Sequence, residues 1–119
     1  MRFLCLVYFE PEAMAALSPS ERATIGRDSM AYDQELSRSG HYIVAEALNP
    51  VSTAKTVRVR RGKASSTDGP FAETKEHLGG FILIDAADMN EAIEIAAGIP
   101  LAKLGSIEVR PVMRMSPQS

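Results

Sequence analysis

Tryptophan is absent from the chain, cysteine occurs once and aromatic residues make up only 6% of the 119 positions. The lone Cys5 has no partner for a disulfide and no second cysteine at metal-binding or redox spacing. A disulfide-stapled secreted scaffold, a thiolate metal centre and a CxxC redox motif are therefore excluded. The two histidines, His41 and His77, do not fall at ligand spacing, so no metal is expected. A glycine loop for phosphate and a nucleophile elbow are also missing, and no cofactor is expected. The apolar stretch from Met1 to Phe9 stops at Glu10 and Pro11, too short for a membrane span or a secretory leader. Thirteen basic residues face fifteen acidic ones, and a formal charge of -2 argues against a nucleic-acid partner. The expected location is the cytoplasm.

Against these absences stands an ordinary globular composition, 45% hydrophobic and 24% charged, enough for one core. The expected organisation is a single domain over residues 1–113 and a frayed tail over 114–119. Residues 2–8 are apolar on both faces and rich in strand formers. Ser18, Pro19 and Glu21 combine a capping hydroxyl, a proline at the first helical position and a carboxylate three residues after the cap. They predict a helix to about Ser39, closed by Gly40, with Ile25, Ser29, Tyr32 and Leu36 on its inner face. A strand is predicted over 42–48, then a hairpin with arms at 55–61 and 64–67 turning at Gly62-Lys63. The stretch from Asp68 to Gly80 reads as irregular, and Phe81 to Ile84 as a strand apolar on both faces. A second helix starts at the Asp88 and Glu91 capping pair, with Met89, Ala92, Ile93 and Ala96 sharing a face, and ends at Gly98. Ile107 and Val109 alternate with Glu108 and Arg110 in a last strand.

Strand, helix, strand, inserted hairpin, strand, helix, strand is the α+β, ferredoxin-like βαββαβ plan with its middle extended. The central strands of that plan are the two that are apolar on both faces. Right-handed crossovers put both helices on one side of the sheet. The opposite face then needs a cover, and the expected solution is a homodimer whose sheets pack face to face as a dimeric α/β barrel.

The segment from Thr67 to Gly80 holds a tight turn at Gly69-Pro70, an aromatic anchor at Phe71 and a cluster of ionisable side chains. Glu73 and Lys75 share one side of an extended segment and can converge on a small-molecule pocket. The same residues also read as a solvated loop pinned by Phe71. Here the chain resembles the YCII-related family, in the branch named after Asp68-Gly69-Pro70-Phe71, the DGPF-domain proteins. The match extends through Glu73, Lys75, Glu76, Gly79 and Gly80 and returns at Glu108-Val109-Arg110-Pro111-Val112. The resemblance implies a dimeric α/β barrel with a polar ligand pocket. Some relatives look like lyases that remove chloride from aromatic compounds with a His-Asp proton-transfer pair. DGPF proteins are also associated with extracytoplasmic-function sigma factors. The enzymatic relatives carry their histidine near the start of the first helix, but residues 18–39 contain none.

Glu46 shares its strand face with Val44 and Leu48, an apolar setting that raises a carboxylate's pKa and suits a general acid or base. An exposed strand end, or an ion pair with Arg58 or Lys75, is the alternative. Tyr8 is a candidate phenol donor or a core aromatic, and His77 a candidate proton shuttle or a surface histidine. The basic hairpin, with Lys55, Arg58, Arg60, Arg61 and Lys63, is read as solvated. The leading functional expectation is a cofactor-independent acid-base enzyme of lyase or isomerase type. In it Glu46 or Asp68 moves the proton, while Tyr8, Phe71, Glu73, Lys75 and His77 bind a small organic substrate. The rival is a non-catalytic ligand-binding or regulatory module working with a sigma factor.

Overall fold

The computed structural model describes residues 1–115; the last four residues of the expected frayed tail lie outside the described residues. Six strands and three helices follow in order: β1 (Arg2–Phe9), α1 (Pro11–Ala15), α2 (Pro19–Arg38), β2 (Tyr42–Ala47), β3 (Lys55–Arg60), β4 (Lys63–Asp68), β5 (His77–Asp85), α3 (Met89–Ala97) and β6 (Ser106–Pro111). Antiparallel β2-β5-β1-β6 make the main sheet, and β3 with β4 forms a separate ribbon. This is the ferredoxin-like plan, with β1 and β5 at the centre. No helix among the described residues is long and apolar enough to cross a membrane.

Alternation along the central strands divides the sheet into two unlike faces. Phe3, Cys5 and Val7 of β1, with Ile82 and Ile84 of β5, are buried under the helices against Leu36 of α2 and Ala92, Ile95 and Ala96 of α3. Burial pushes the Cys5 thiol up to about 11. The other face carries Leu4 and Leu6, paired across the ladder with Leu83 and Phe81. No helix covers it.

The α2 start is the anticipated capping box: Ser18 Oγ accepts from the Glu21 amide, and the Glu21 carboxylate accepts from the Ser18 amide at 2.8 Å. These hydrogen bonds hold the Glu21 carboxyl below its ordinary value. On α3 the inner face is Ala92, Ile95 and Ala96, continued by Ile99, while Ile93 is exposed. Ile93 lies about 100° around the helix from Ala92, and the arc extended by Ile99 buries more apolar surface.

Two further departures from the sequence pattern concern glycine. The ribbon turns at Arg61-Gly62, because Arg60 pairs with Lys63 and both turn residues have positive φ, 51° and 77°. That is the two-residue turn whose twist suits a hairpin. Strand β5 begins at His77, so the Gly79-Gly80 pair is inside a strand. A Cβ on Gly80 would sit 2.8 Å from the Glu46 carbonyl oxygen, and one on Gly79 would enter the Phe9 ring. These glycines permit close approach rather than flexibility. Pro11–Ala15, which reads as a strand stop, forms the short α1.

Gly80→Ala is expected to cost about 2 kcal/mol, since its backbone neighbour cannot swing away as a side chain could. Chemical denaturation measures the loss, and a change below a few tenths of a kcal/mol would contradict it.

Candidate functional site

The end of the sheet where β1 leaves and β5 enters gathers most of the chemistry. Residues 8–10 and 75–78 run side by side there, with Tyr8 opposite Leu78 and Phe9 opposite His77, across a register shift after Val7. Side chains consequently diverge to both sides of the sheet.

On the helix side lies a cavity of about 360 Å³ whose wall is almost entirely apolar, including Phe9, Pro11, Met14 and Leu48. Its polar side chains are few: His77 from β5, Arg22 from the start of α2, and Asn49. Arg22 is aimed by its hydrogen bond to the Leu17 carbonyl, 2.7 Å. Helix α1 supplies Pro11, Met14 and Ala15, so this short helix is a cavity wall. Leu48 donates its amide to the Gly79 carbonyl at 2.8 Å, drawing the β2 end over the opening. An apolar chamber with a few convergent polar groups is the usual form of a small-molecule site.

Gly79 also borders a second cavity, of about 180 Å³, beneath α2, with Ser29, Tyr32, Asp33 and Glu46 along its rim. Burial holds the Asp33 carboxyl above the usual carboxylate range. Tyr32 is fixed by its hydroxyl, which donates to the Ile95 carbonyl at 2.6 Å. A carboxyl that keeps its proton more readily than usual is suited to general acid work.

The other side of the sheet end holds an open polar cleft of about 590 Å³, lined by Tyr8, Glu10, Lys75, Glu76, Ser106 and Glu108 among others. Lys75 Nζ is 3.6 Å from Glu10 Oε1, and Ser106 Oγ donates to Glu76 Oε1 at 3.4 Å.

The seven residues singled out from the sequence are thus dispersed. Tyr8 and Lys75 share the polar cleft. His77 lines the apolar cavity, and Glu46 stands exposed on β2 opposite Phe81 at the second. Asp68 ends β4 in an ion pair with Lys55. Phe71 is exposed, its ring 5.3 Å beneath the Arg58 guanidinium, and Glu73 is exposed in the connection. A single chain therefore does not gather Glu46, Asp68, Glu73 and Lys75 around one cavity. Arg22 and Asp33 carry no motif; helical spacing on a mostly polar α2 was the only signal for either.

His41 belongs to a different arrangement. Its Nδ1 lies 2.7 Å from Ser39 Oγ and its Nε2 3.3 Å from Glu91 Oε1, the connectivity of a nucleophile, base and acid. Both flanking groups are engaged in capping. Ser39 Oγ donates to the Leu36 carbonyl at the end of α2, and the Glu91 carboxylate accepts from the Ala87 amide before α3. The imidazole fastens one helix end to the other.

Residues 1–116 match the YCII-related domain. The chain belongs to the YCII-related family. An uncharacterized protein of Rhizobium meliloti (strain 1021) is 36% identical over 119 residues, covering 98% of this chain and 96% of that one. Among solved structures, the 5-chloro-2-hydroxyhydroquinone dehydrochlorinase of Burkholderia phenoliruptrix AC1100, in complex with 2,5-dihydroxybenzoquinone, matches with a TM-score of 0.57. That match has 17% identity and covers 97% of this chain and 96% of the other, a likeness of fold.

His41→Ala is expected to lower stability by about 1 kcal/mol through loss of the clamp, read as a shifted urea midpoint. An unchanged midpoint would show that the clamp carries no weight.

Proposed function

We propose that this YCII-related protein is a cofactor-independent acid-base enzyme acting on a small phenolic or quinonoid ring held in the apolar cavity beside His77. The observation that carries this reading is the position of His77. The enzymatic relatives it resembles bring their histidine from the start of the first helix, where this sequence has none. His77 instead arrives from β5 at a cavity whose wall includes Arg22, in the first turns of α2. An imidazole can take a hydroxyl proton from the ring and return it to the ring carbon that bears the leaving group; loss of a second hydroxyl proton then expels that group with its bonding pair as the ring becomes a quinone. One proton and one anion leave together, so no redox carrier is consumed. Arg22 faces the developing charge, and Asp33, whose carboxyl burial raises above its ordinary value, borders the neighbouring cavity that shares Gly79. That a protein of the same fold holds 2,5-dihydroxybenzoquinone supports the ligand class. In this reading Glu46 and Asp68 take no proton, and Tyr8 and Lys75 belong to the opposite cleft.

Two copies pair through the uncovered sheet face. Half-buried Leu4, Leu6, Phe81 and Leu83, with exposed Val44, present an apolar strip there that the single layer of helices does not cover. Burying it at about 25 cal/mol per Å² is the strongest available drive to association. A buried free thiol and the absence of a disulfide fit a cytoplasmic setting.

Titration with 2,5-dihydroxybenzoquinone should show binding that Arg22→Ala weakens and His77→Gln retains. Turnover of 5-chloro-2-hydroxyhydroquinone, followed by chloride release, should fall about 10²- to 10⁴-fold in His77→Gln. Full turnover in that variant would refute the assignment, and binding without turnover in the unaltered protein would favour a ligand sensor. Leu83→Asp should convert a dimer into a monomer in analytical ultracentrifugation; an unaltered dimer would place the interface elsewhere.

A further inference from the structure

The β3–β4 ribbon has no role in anything described so far, and its physical state within one chain is poor. All but one of its strand residues are exposed, Val57 and Val59 at 66% and 60%. Its base is tied by the Gly69 amide to the Ala54 carbonyl and by Thr56 Oγ1 to the Gly69 carbonyl, both 2.8 Å. No other element packs substantially against it. A lone two-stranded hairpin is marginal in water, so this one needs a surface to lie on. Its projection also stretches the molecule into a plate of 47 × 47 × 19 Å with a radius of gyration of 16.5 Å. A compact chain of this length would have about 13–14 Å.

The ladder register gives the ribbon two unlike faces. Val57, Val59 and Ala64 lie on one, while Arg58, Arg60 and Lys63 lie on the other. Five of the chain's thirteen basic residues are in the ribbon with one acid, Asp68, leaving eight basic and fourteen acidic residues for the rest. The arm is cationic and the body anionic. Within the body, the cleft gathers the carboxylates Glu10, Glu76 and Glu108; Lys75 pairs with Glu10 and Arg110 with Glu108, which among the described residues leaves Glu76 with only the Ser106 hydroxyl.

We propose that the ribbon of one copy docks along the Tyr8, Glu10, Lys75, Glu76 and Glu108 cleft of a second copy, so that each cleft is walled by its partner's Arg58 and Arg60. The inference rests on the face-to-face pairing proposed above. A twofold axis running along the strands stacks the β2 edge of one sheet over the β6 edge of the other and keeps like ends together. The ribbon follows β2 at the end where Ala47, Gly80, Val7 and Ile107 share a row, and the cleft lies at that same end beside β6. Each arm therefore reaches the other copy's cleft. An axis across the strands would send the arms to opposite ends, away from the partner's cleft. The docked arm supplies a guanidinium to Glu76, which has no cation partner among the described residues of one chain, and adds to the exposed pairs of Glu10 and Glu108, and the occupied cleft becomes a walled chamber rather than an open groove.

The test combines charge reversal with proximity. R58E/R60E should raise the dimer dissociation constant on the order of tenfold, and mixing that chain with E10K/E76K/E108K should restore association as a heterodimer. Separately, a Ser65→Cys chain mixed with a Thr74→Cys chain should give a covalent heterodimer with a short bismaleimide. Cys5 can remain, since it is fully buried. A dimer of unchanged affinity in the reversal variant, with no cross-link, would overturn the ribbon assignment while leaving the sheet pairing intact. A wild-type chain that is monomeric at high concentration would overturn the pairing and the ribbon assignment together.

Discussion

Strands β1 and β5 pair along almost their whole length, and both are apolar on both sides, while the chain owns helices for one side only. The helical side closes completely: Cys5 and Ile84 are inaccessible, and no polar side chain is buried there. Among the described residues, no helix closes the other side. Much of the remaining molecule can be understood as a response to that imbalance. The edge strands β2 and β6 place Glu46, Glu108 and Arg110 around the rim of the uncovered strip, a polar border to an apolar centre. Such a border is the usual anatomy of a surface meant to meet another protein.

The same central pair positions the chemistry. Tyr8 and Phe9, successive along β1, face opposite sides; Lys75 lines the cleft of Tyr8, and His77, the ladder partner of Phe9, lines the other cavity. Gly79 and Gly80 make the junction possible because the Phe9 ring and the Glu46 carbonyl occupy the space a side chain would need. A conformationally demanding stretch is therefore coupled to the site at both cavities. The charged connection preceding β5 makes only exposed ion pairs, which contribute little to stability, so its carboxylates and ammonium are free to serve recognition.

A histidine in the right place matters more to the proposed chemistry than a histidine in the expected segment. The cavity at the head of α2 receives its imidazole from a strand. Function on this fold is set by which side chains reach a cavity, and several elements end at this one. The Ser39, His41 and Glu91 chain makes the converse point, since connectivity resembling a catalytic relay serves two helix termini.

The order of the strands and the two long helices, the capping box of α2, the Asp88 cap of α3 and the two-faced apolar character of the central strands were all legible in the residues themselves. Each is a matter of local periodicity or of hydrogen bonds within one turn. The family was legible too, in Asp68-Gly69-Pro70-Phe71 and the residues following it. What periodicity could not reach was anything decided by contacts distant along the chain. The start of β5, the Arg61-Gly62 turn and the outward position of Ile93 depended on which neighbour came close. The candidate site is the clearest instance. Glu46, Asp68, Glu73 and Lys75 look like a cluster in sequence, yet strand register and an outlying ribbon disperse them, while Arg22 and His77 reach one cavity from an α-helix and a strand far apart in the chain. Sequence spacing sets which way a side chain faces; only the packing of helix on sheet sets what it faces.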